Sequence, residues 1–238
     1  GSTWSQQQKL TASDGAAEDQ FGSSVSLSAD GNTALIGAGG KDVGANAAQG
    51  AAYVFVCDSG VWFQQQILTA TGGAAGDFFG HSISLSADGN TALIGAYFKI
   101  IAGNLYQGAA YIFERSGGVW SQQPALTAAD GAEAEWFGYA VSLSADGNTA
   151  LIGAHYKDVG ANNNQGAAYV FTRFSTVWFQ QEKLTALDGA ADDQFGFSVS
   201  LSADGNTALI GAPVKNVGGN SYQGVAYVFV RSGSTWSQ

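Results

Sequence analysis

Apolar and polar residues alternate in short runs along the whole chain, and the runs return every 58 residues. Residues 23–28 (SSVSLS) set Val25 and Leu27 on one face of an extended segment and serines on the other. That is the period of two of a half-buried strand. After Ala29-Asp30-Gly31-Asn32 comes a second run, 33–38 (TALIGA). Asp-Gly between two such runs predicts a two-residue hairpin, because both central positions tolerate positive φ. A loop (GGKDVGANAAQG) leads to a third strand at 51–56, and a short Gly-containing turn leads to a fourth at 61–69. No segment carries an apolar period of 3.6 over helical length, so the pattern predicts an all-β chain.

Four units repeat without an insertion: 1–58, 59–116, 117–174 and 175–232, with 233–238 repeating 1–6 as GSTWSQ. Trp4, Trp62, Trp120, Trp178 and Trp236 keep the period, as do the Phe-Gly pairs that begin at Phe21, Phe79, Phe137 and Phe195. A four-stranded sheet has two faces, and stacking identical sheets radially buries both. The pattern therefore predicts a β-propeller of four antiparallel blades as a single domain, 1–238. The segment 3–11 reads as a fourth strand with no blade ahead of it. It either closes the ring by completing the last blade, belongs to a longer array, or is exchanged between chains; closure removes aggregation-prone edges.

Composition narrows the function classes. The chain is 45% hydrophobic with a formal charge of −10 and a pI near 4.3. Phosphate binding needs clustered Lys and Arg, so nucleic acid is excluded, and anionic membrane surfaces are disfavoured. No apolar run approaches 18 residues, which excludes membrane insertion by a helix. The lack of Met reads as a mature or trimmed chain. The one cysteine, Cys57, stands where other units carry Arg115, Arg173 and Arg231. It is either a reactive thiol or drift at a strand end, and it makes no disulfide framework.

Three motifs, Phe-Gly-x-Ser-Val-Ser-Leu-Ser, Ala-Leu-Ile-Gly-Ala and Gln-Gly-Ala-Ala-Tyr-Val-Phe, recur through the units, and the last unit spells Gly211-Ala212-Pro213. Together they resemble the FG-GAP repeat of integrin α-chain propellers and bacterial surface proteins. The resemblance implies an extracellular or cell-surface propeller used for binding or adhesion. It departs from the integrin type in having four units rather than seven. It also has only the Ala-Asp-Gly-Asn turn where integrin-type repeats carry a calcium loop. Calcium takes six to eight oxygens, so no metal or other cofactor is expected.

Candidate chemistry lies in the loops. Lys41, Lys99, Lys157 and Lys215 repeat, with Asn46, Asn104, Asn162 and Asn220, and with Gln49, Gln107, Gln165 and Gln223. Amides and ammonium groups near the variable aromatics Tyr97, Phe98, Tyr106, Tyr156 and Tyr222 suit sugar hydroxyls and ring faces. The same polar residues also suit loop self-bonding. Asp19, Asp77, Glu135 and Asp193 share one slot before Phe-Gly; they bind a ligand or accept backbone N–H bonds. The tryptophans either cover the neighbouring strand or stack on a sugar. Phe63 and Phe179, alternating with serine at one edge position, join Trp4 and Trp236 as candidates for chain–chain contact. His81 and His155 form no repeated pair with a nucleophile, so no catalysis is expected. The expected function is non-enzymatic binding of glycans or a cell-surface partner through the blade loops. The alternative is a structural subunit of an extracellular assembly, self-associating through its terminal strands.

Overall fold

The Phe-Gly pair sets the spacing of the blades. In a computed structural model, which describes residues 3–238, Phe79 is fully buried and meets Tyr111 and Phe113 edge-on at 5.4 and 5.9 Å. Gly80 (φ 91°) donates its N–H to the carbonyl of Gly95 at 3.0 Å. Gly95 in turn lies against the next unit, where a Cβ would stand 1.9 Å from the carbonyl oxygen of Gly138. The motif's glycines are thus where two backbones touch, a role no larger residue fills.

Among the described residues, sixteen strands form four antiparallel sheets in sequence order. The first holds β1 (Ser24–Leu27), β2 (Thr33–Ala38), β3 (Ala51–Asp58) and β4 (Val61–Leu68); the second β5 (Ile83–Leu85), β6 (Thr91–Ala96), β7 (Ala109–Ser116) and β8 (Val119–Gln122). The third holds β9 (Val141–Leu143), β10 (Thr149–Ala154), β11 (Ala167–Phe174) and β12 (Val177–Leu184); the fourth β13 (Ser198–Leu201), β14 (Thr207–Ala212), β15 (Val225–Ser232) and β16 (Thr235–Ser237). These are four propeller blades, with β1, β5, β9 and β13 neighbouring one another on the inside. No helix occurs among the described residues, so none is long and apolar enough to cross a membrane.

The predicted hairpin differs in detail. Of the Asp-Gly pair only Gly31 takes positive φ (71°). The Asp30 carboxylate accepts the N–H of Asn32 at 3.0 Å and the hydroxyl of Ser28 at 2.5 Å. Four residues make the turn, with aspartate as its internal acceptor. Serines of the inner strands bond across blades: Ser24 Oγ donates to Gly80 O at 2.8 Å, and Ser26 Oγ accepts Leu85 N–H at 3.0 Å.

Three apolar cores lie at the three junctions. In the first, Leu35, Val54 and Leu68 of one blade meet Phe79, Ile94 and Tyr111 of the next, and the other two repeat it. At the outer edge, glutamines of one blade clasp the tryptophan of the next. Gln66 accepts Trp120 N–H at 3.0 Å and returns an amide N–H to Trp120 O at 3.1 Å. Pro124 breaks this clasp at the second junction. There β8 has 4 residues, against 8 in β4, and the indole N–H of Trp178 is buried without a partner.

Closure of the ring through the N-terminal segment is not what forms. The blade-four slot is held by β16, which pairs with β15. The N-terminal segment instead lies along β4, where Gln7 and Gln8 clasp Trp62 as Gln65 and Gln66 clasp Trp120. Leu10 and Ala12 cover the face of the first blade. The four blades form an open arc.

Candidate ligand-binding surface

The loops that follow β2, β6, β10 and β14 and those that enter β1, β5, β9 and β13 meet at one end of the blades. Their lower layer is polar and the same in every unit. Lys41 Nζ donates to Asp14 O at 2.7 Å and to the Asp19 carboxylate at 3.1 Å. Lys99 does so with Gly72 and Asp77, Lys157 with Asp130 and Glu135, and Lys215 with Asp188 and Asp193. Burial opposes the charge on Lys41 and Lys215. The hydrogen bonds and carboxylates of Asp19 and Asp193, with Asp14 and Asp188, outweigh it and raise both lysines above their usual range. The acids also accept backbone N–H groups: Ala16 to Asp19 at 2.7 Å, Ala74 to Asp77 at 2.7 Å.

The amides are bound in the same way. Asn46, Asn104, Asn162 and Asn220 donate to Gln49, Gln107, Gln165 and Gln223 at 2.8–2.9 Å. Gln49, Gln107 and Gln165 are buried under Gly73, Gly131 and Gly189, whose missing side chains make room for them. The repeated Lys, Asn and Gln positions are therefore brought together, but with their polar atoms turned on one another.

The upper layer is aromatic, with nine of its rings from units two and three and Phe197 from unit four. Tyr97 packs at a tilt against Phe98 (4.2 Å between centroids), His81 (4.6 Å) and Trp136 (5.4 Å). Trp136 meets Tyr156 at 4.5 Å and His155 at 5.4 Å. Phe78 and Tyr106 extend the group beside Phe98, and Tyr139 and Phe197 extend it beside His155. The result is one contiguous field of ten rings. Most are half-buried, Tyr106 and Phe197 are exposed, and His155 is sealed. Phe78, Trp136 and Tyr106 sit at φ 55°, 58° and 56°, a conformation bulky residues rarely adopt.

The two histidines of the field are uncharged at neutral pH. Burial, and then the charge of His81, pushes His155 down to about 4, and burial lowers His81. Burial first, then neighbouring tyrosines, raises Tyr97 and Tyr139, which keep their phenol protons. His155 Nδ1 is buried without a hydrogen-bond partner. Flat apolar faces edged by phenol and imidazole groups suit a ligand with an apolar ring face and peripheral hydroxyls.

Of the expected site residues, Tyr106 and Tyr156 join this field. Tyr222 is exposed on the fourth blade, outside it. The sequence reading missed Phe78, Trp136, Tyr139 and Phe197. The matching slots in unit one are Gln20 and Ser23, so departure from the repeat was the available signal. Of the expected edge residues, Trp4 is fully exposed, and Phe63 and Phe179 are half exposed. Trp236 is packed into the third junction, where Gln181 and Glu182 hold it. Among the described residues no three His, Cys, Asp or Glu side chains gather as a metal site.

An arc of four-stranded blades with an aromatic field at one end defines a propeller-type binding or structural protein. The FG-GAP repeat family matches residues 4–55, 62–113, 120–171 and 178–229, and the chain belongs to that family. No curated protein matches the sequence. Among solved structures, one from Bacteroides uniformis named a "putative 6-phosphogluconolactonase" is similar at a TM-score of 0.59 and 14% identity. The match covers 90% of this chain and 52% of that one, so the chain spans about half its length. This corrects the expectation of no catalysis: a chain of this fold bears an enzyme's name, and the fold by itself does not exclude chemistry. At that identity the likeness is one of fold and carries no reaction across.

Proposed function

We propose that this chain is an extracellular binding module that takes glycans on the aromatic field. The observation that carries the reading is where the ten rings fall. Unit one keeps Gln20, Ser23, Gly39 and Gly40 at the slots where units two and three place Phe78 and Trp136, His81 and Tyr139, Tyr97 and His155, and Phe98 and Tyr156, while unit four keeps Gln194 and Pro213 and adds Phe197. Unit one builds the same four strands without any of these rings, so nine rings in units two and three, joined by Phe197, serve something other than the fold of a blade. The repeated lysines and amides, the other expected ligand groups, support the field from below. Membership of a family known from cell-surface proteins supports the extracellular setting.

The test is a screen of the purified chain on immobilised neutral and acidic glycans, followed by titration read by tryptophan fluorescence. Trp136→Ala should weaken binding of any retained glycan at least tenfold, about 1.4 kcal/mol or more. Trp136→Phe should restore part of it, and circular dichroism should be unchanged in both. A screen with no retained glycan, or an affinity indifferent to Trp136, sinks the reading.

A further inference from the structure

The two ends of the arc carry the two halves of the junction that is already built three times inside it. On the outward face of blade four, Leu209, Val228 and Val230 are 47, 51 and 50% exposed. The counterparts of Leu209 and Val228, which are Leu35 and Val54, Leu93 and Ile112, and Leu151 and Val170, are fully buried by the next blade, and those of Val230 (Val56, Glu114 and Thr172) are half-buried. On the outward face of blade one, Val25 and Leu27 are 71 and 61% exposed. They line an apolar groove of about 340 Å³ with Ala34 and Ile36. The counterparts of Leu27, which are Leu85 and Leu143, are buried against the preceding blade, and those of Val25, which are Ile83 and Val141, are half-buried there.

The polar marks of a junction are split in the same way. A relay of backbone bonds joins the hairpins: Ala29 N–H to Ala87 O at 2.8 Å, Ala87 to Ala145 and Ala145 to Ala203, both at 2.9 Å. Among the described residues, Ala203 N–H and Ala29 O end the relay without such a partner. In the outer strand, Gln238 accepts Leu187 N–H at 3.0 Å as Gln64 accepts Ser13 N–H. It thus fills the Gln64 position of blade four, where β16 has 3 residues against 8 in β4. Gln7 holds the following position, the one Gln65 takes, and already sits against blade one. Residues 7–12 therefore lie where the rest of a preceding blade's fourth strand belongs.

We propose that two copies of this chain join head to tail: blade four of one docks on blade one of the other, and residues 7–12 complete the partner's fourth strand. The occupant is a second copy because the open faces match, residue for residue, the pair that mates three times within the chain. No arginine guards blade one's edge, where Cys57 replaces Arg115, Arg173 and Arg231. Two copies supply eight blades, within the four to eight of closed propellers, and the heterologous contact then closes on itself. This inference is independent of the glycan reading.

Light scattering of the 238-residue chain across a concentration series tests it. The expected species is discrete, at twice the 24.4 kDa of one chain. Leu209→Glu with Val228→Glu, or Val25→Glu with Leu27→Glu, should each give single chains with unchanged circular dichroism, since all four sites are exposed. Mixing these two variants should restore the doubled mass, because each keeps the half the other lost. Deleting residues 1–6, which repeat 233–238, should leave the pair intact, and deleting 1–12 should abolish it. A single-chain mass at every concentration, growth without limit, or a pair that survives the glutamates overturns the proposal.

Discussion

His155 and Lys157 are two residues apart and both are buried, yet they belong to different layers of the same loops. Lys157 donates to Glu135 and to the carbonyl of Asp130. His155 loses its charge among Trp136, Tyr139 and Tyr156. The lysine's arrangement occurs in all four units and the histidine's in one. Repetition marks what each blade needs to stand, and departure from it marks what the molecule does with the blades. The comparison predicts that the repeated layer governs stability alone and the aromatic layer governs binding.

The largest expected effect is in the lower layer. Lys157→Ala leaves Glu135 buried without its cation, and one of its oxygens already lacks a partner. Breaking a buried pair from one side costs about 3–5 kcal/mol. Urea unfolding should show that loss, and any glycan affinity of the molecules still folded should hold. A loss below about 1 kcal/mol would show that water or a neighbouring group replaces the lysine.

The next effect comes from the histidine. His155 titrates near its ordinary 6.5 when unfolded and at about 4 in the fold. Between those values the unfolded chain binds more protons, so stability is full above about pH 6.5 and is lost as pH falls toward 4. The difference between 6.5 and about 4 corresponds to roughly 3 kcal/mol. His81 acts in the same direction. Unfolding free energies between pH 7 and 4.5 should fall on this curve, and His155→Phe should flatten it. A slope unchanged by that substitution assigns the titration elsewhere. The aspartates of the hairpins, Asp88 and Asp146, are held below their usual 3.8 and act at lower pH.

Much of this was legible in the chain itself, for reasons that differ by region. The strands were legible because a period of two and a repeat of fixed length constrain the same residues twice. β8 fell short of its reading because Pro124 cannot donate to a ladder, a local rule that the repeat concealed. The Lys, Asn and Gln positions were legible as a set, but their use was not. Lys41 bonds Asp19, and Asn46 bonds Gly73, across 22 and 27 residues; nothing in the spacing separates that from contact with a ligand. The aromatic field was half legible, since Tyr97, Phe98 and Tyr156 stood out while Trp136 and Tyr139 were not set beside them. Those rings converge only because loops from successive blades meet at one end.

The smallest expected effect compares one glycine position at two places. Gly153 lies inside the third junction, where a Cβ would stand 2.0 Å from the carbonyl oxygen of Gly196, so backbone must move. Gly211 is the same position in blade four, and there a Cβ meets the Ser198 hydroxyl at 2.4 Å, a side chain free to turn. Gly153→Ala should cost about 1–3 kcal/mol, as overpacking does, and Gly211→Ala much less in a single chain. The pair also reports on the open end. If blade four docks on a second copy, Gly211 faces the partner's backbone as Gly153 faces Gly196. Gly211→Ala should then halve the mass seen by light scattering without lowering the unfolding midpoint of the separated chain. Equal penalties in separated chains would mean that the glycine answers to its own blade, and the distinction between inner and outer faces would fail with it.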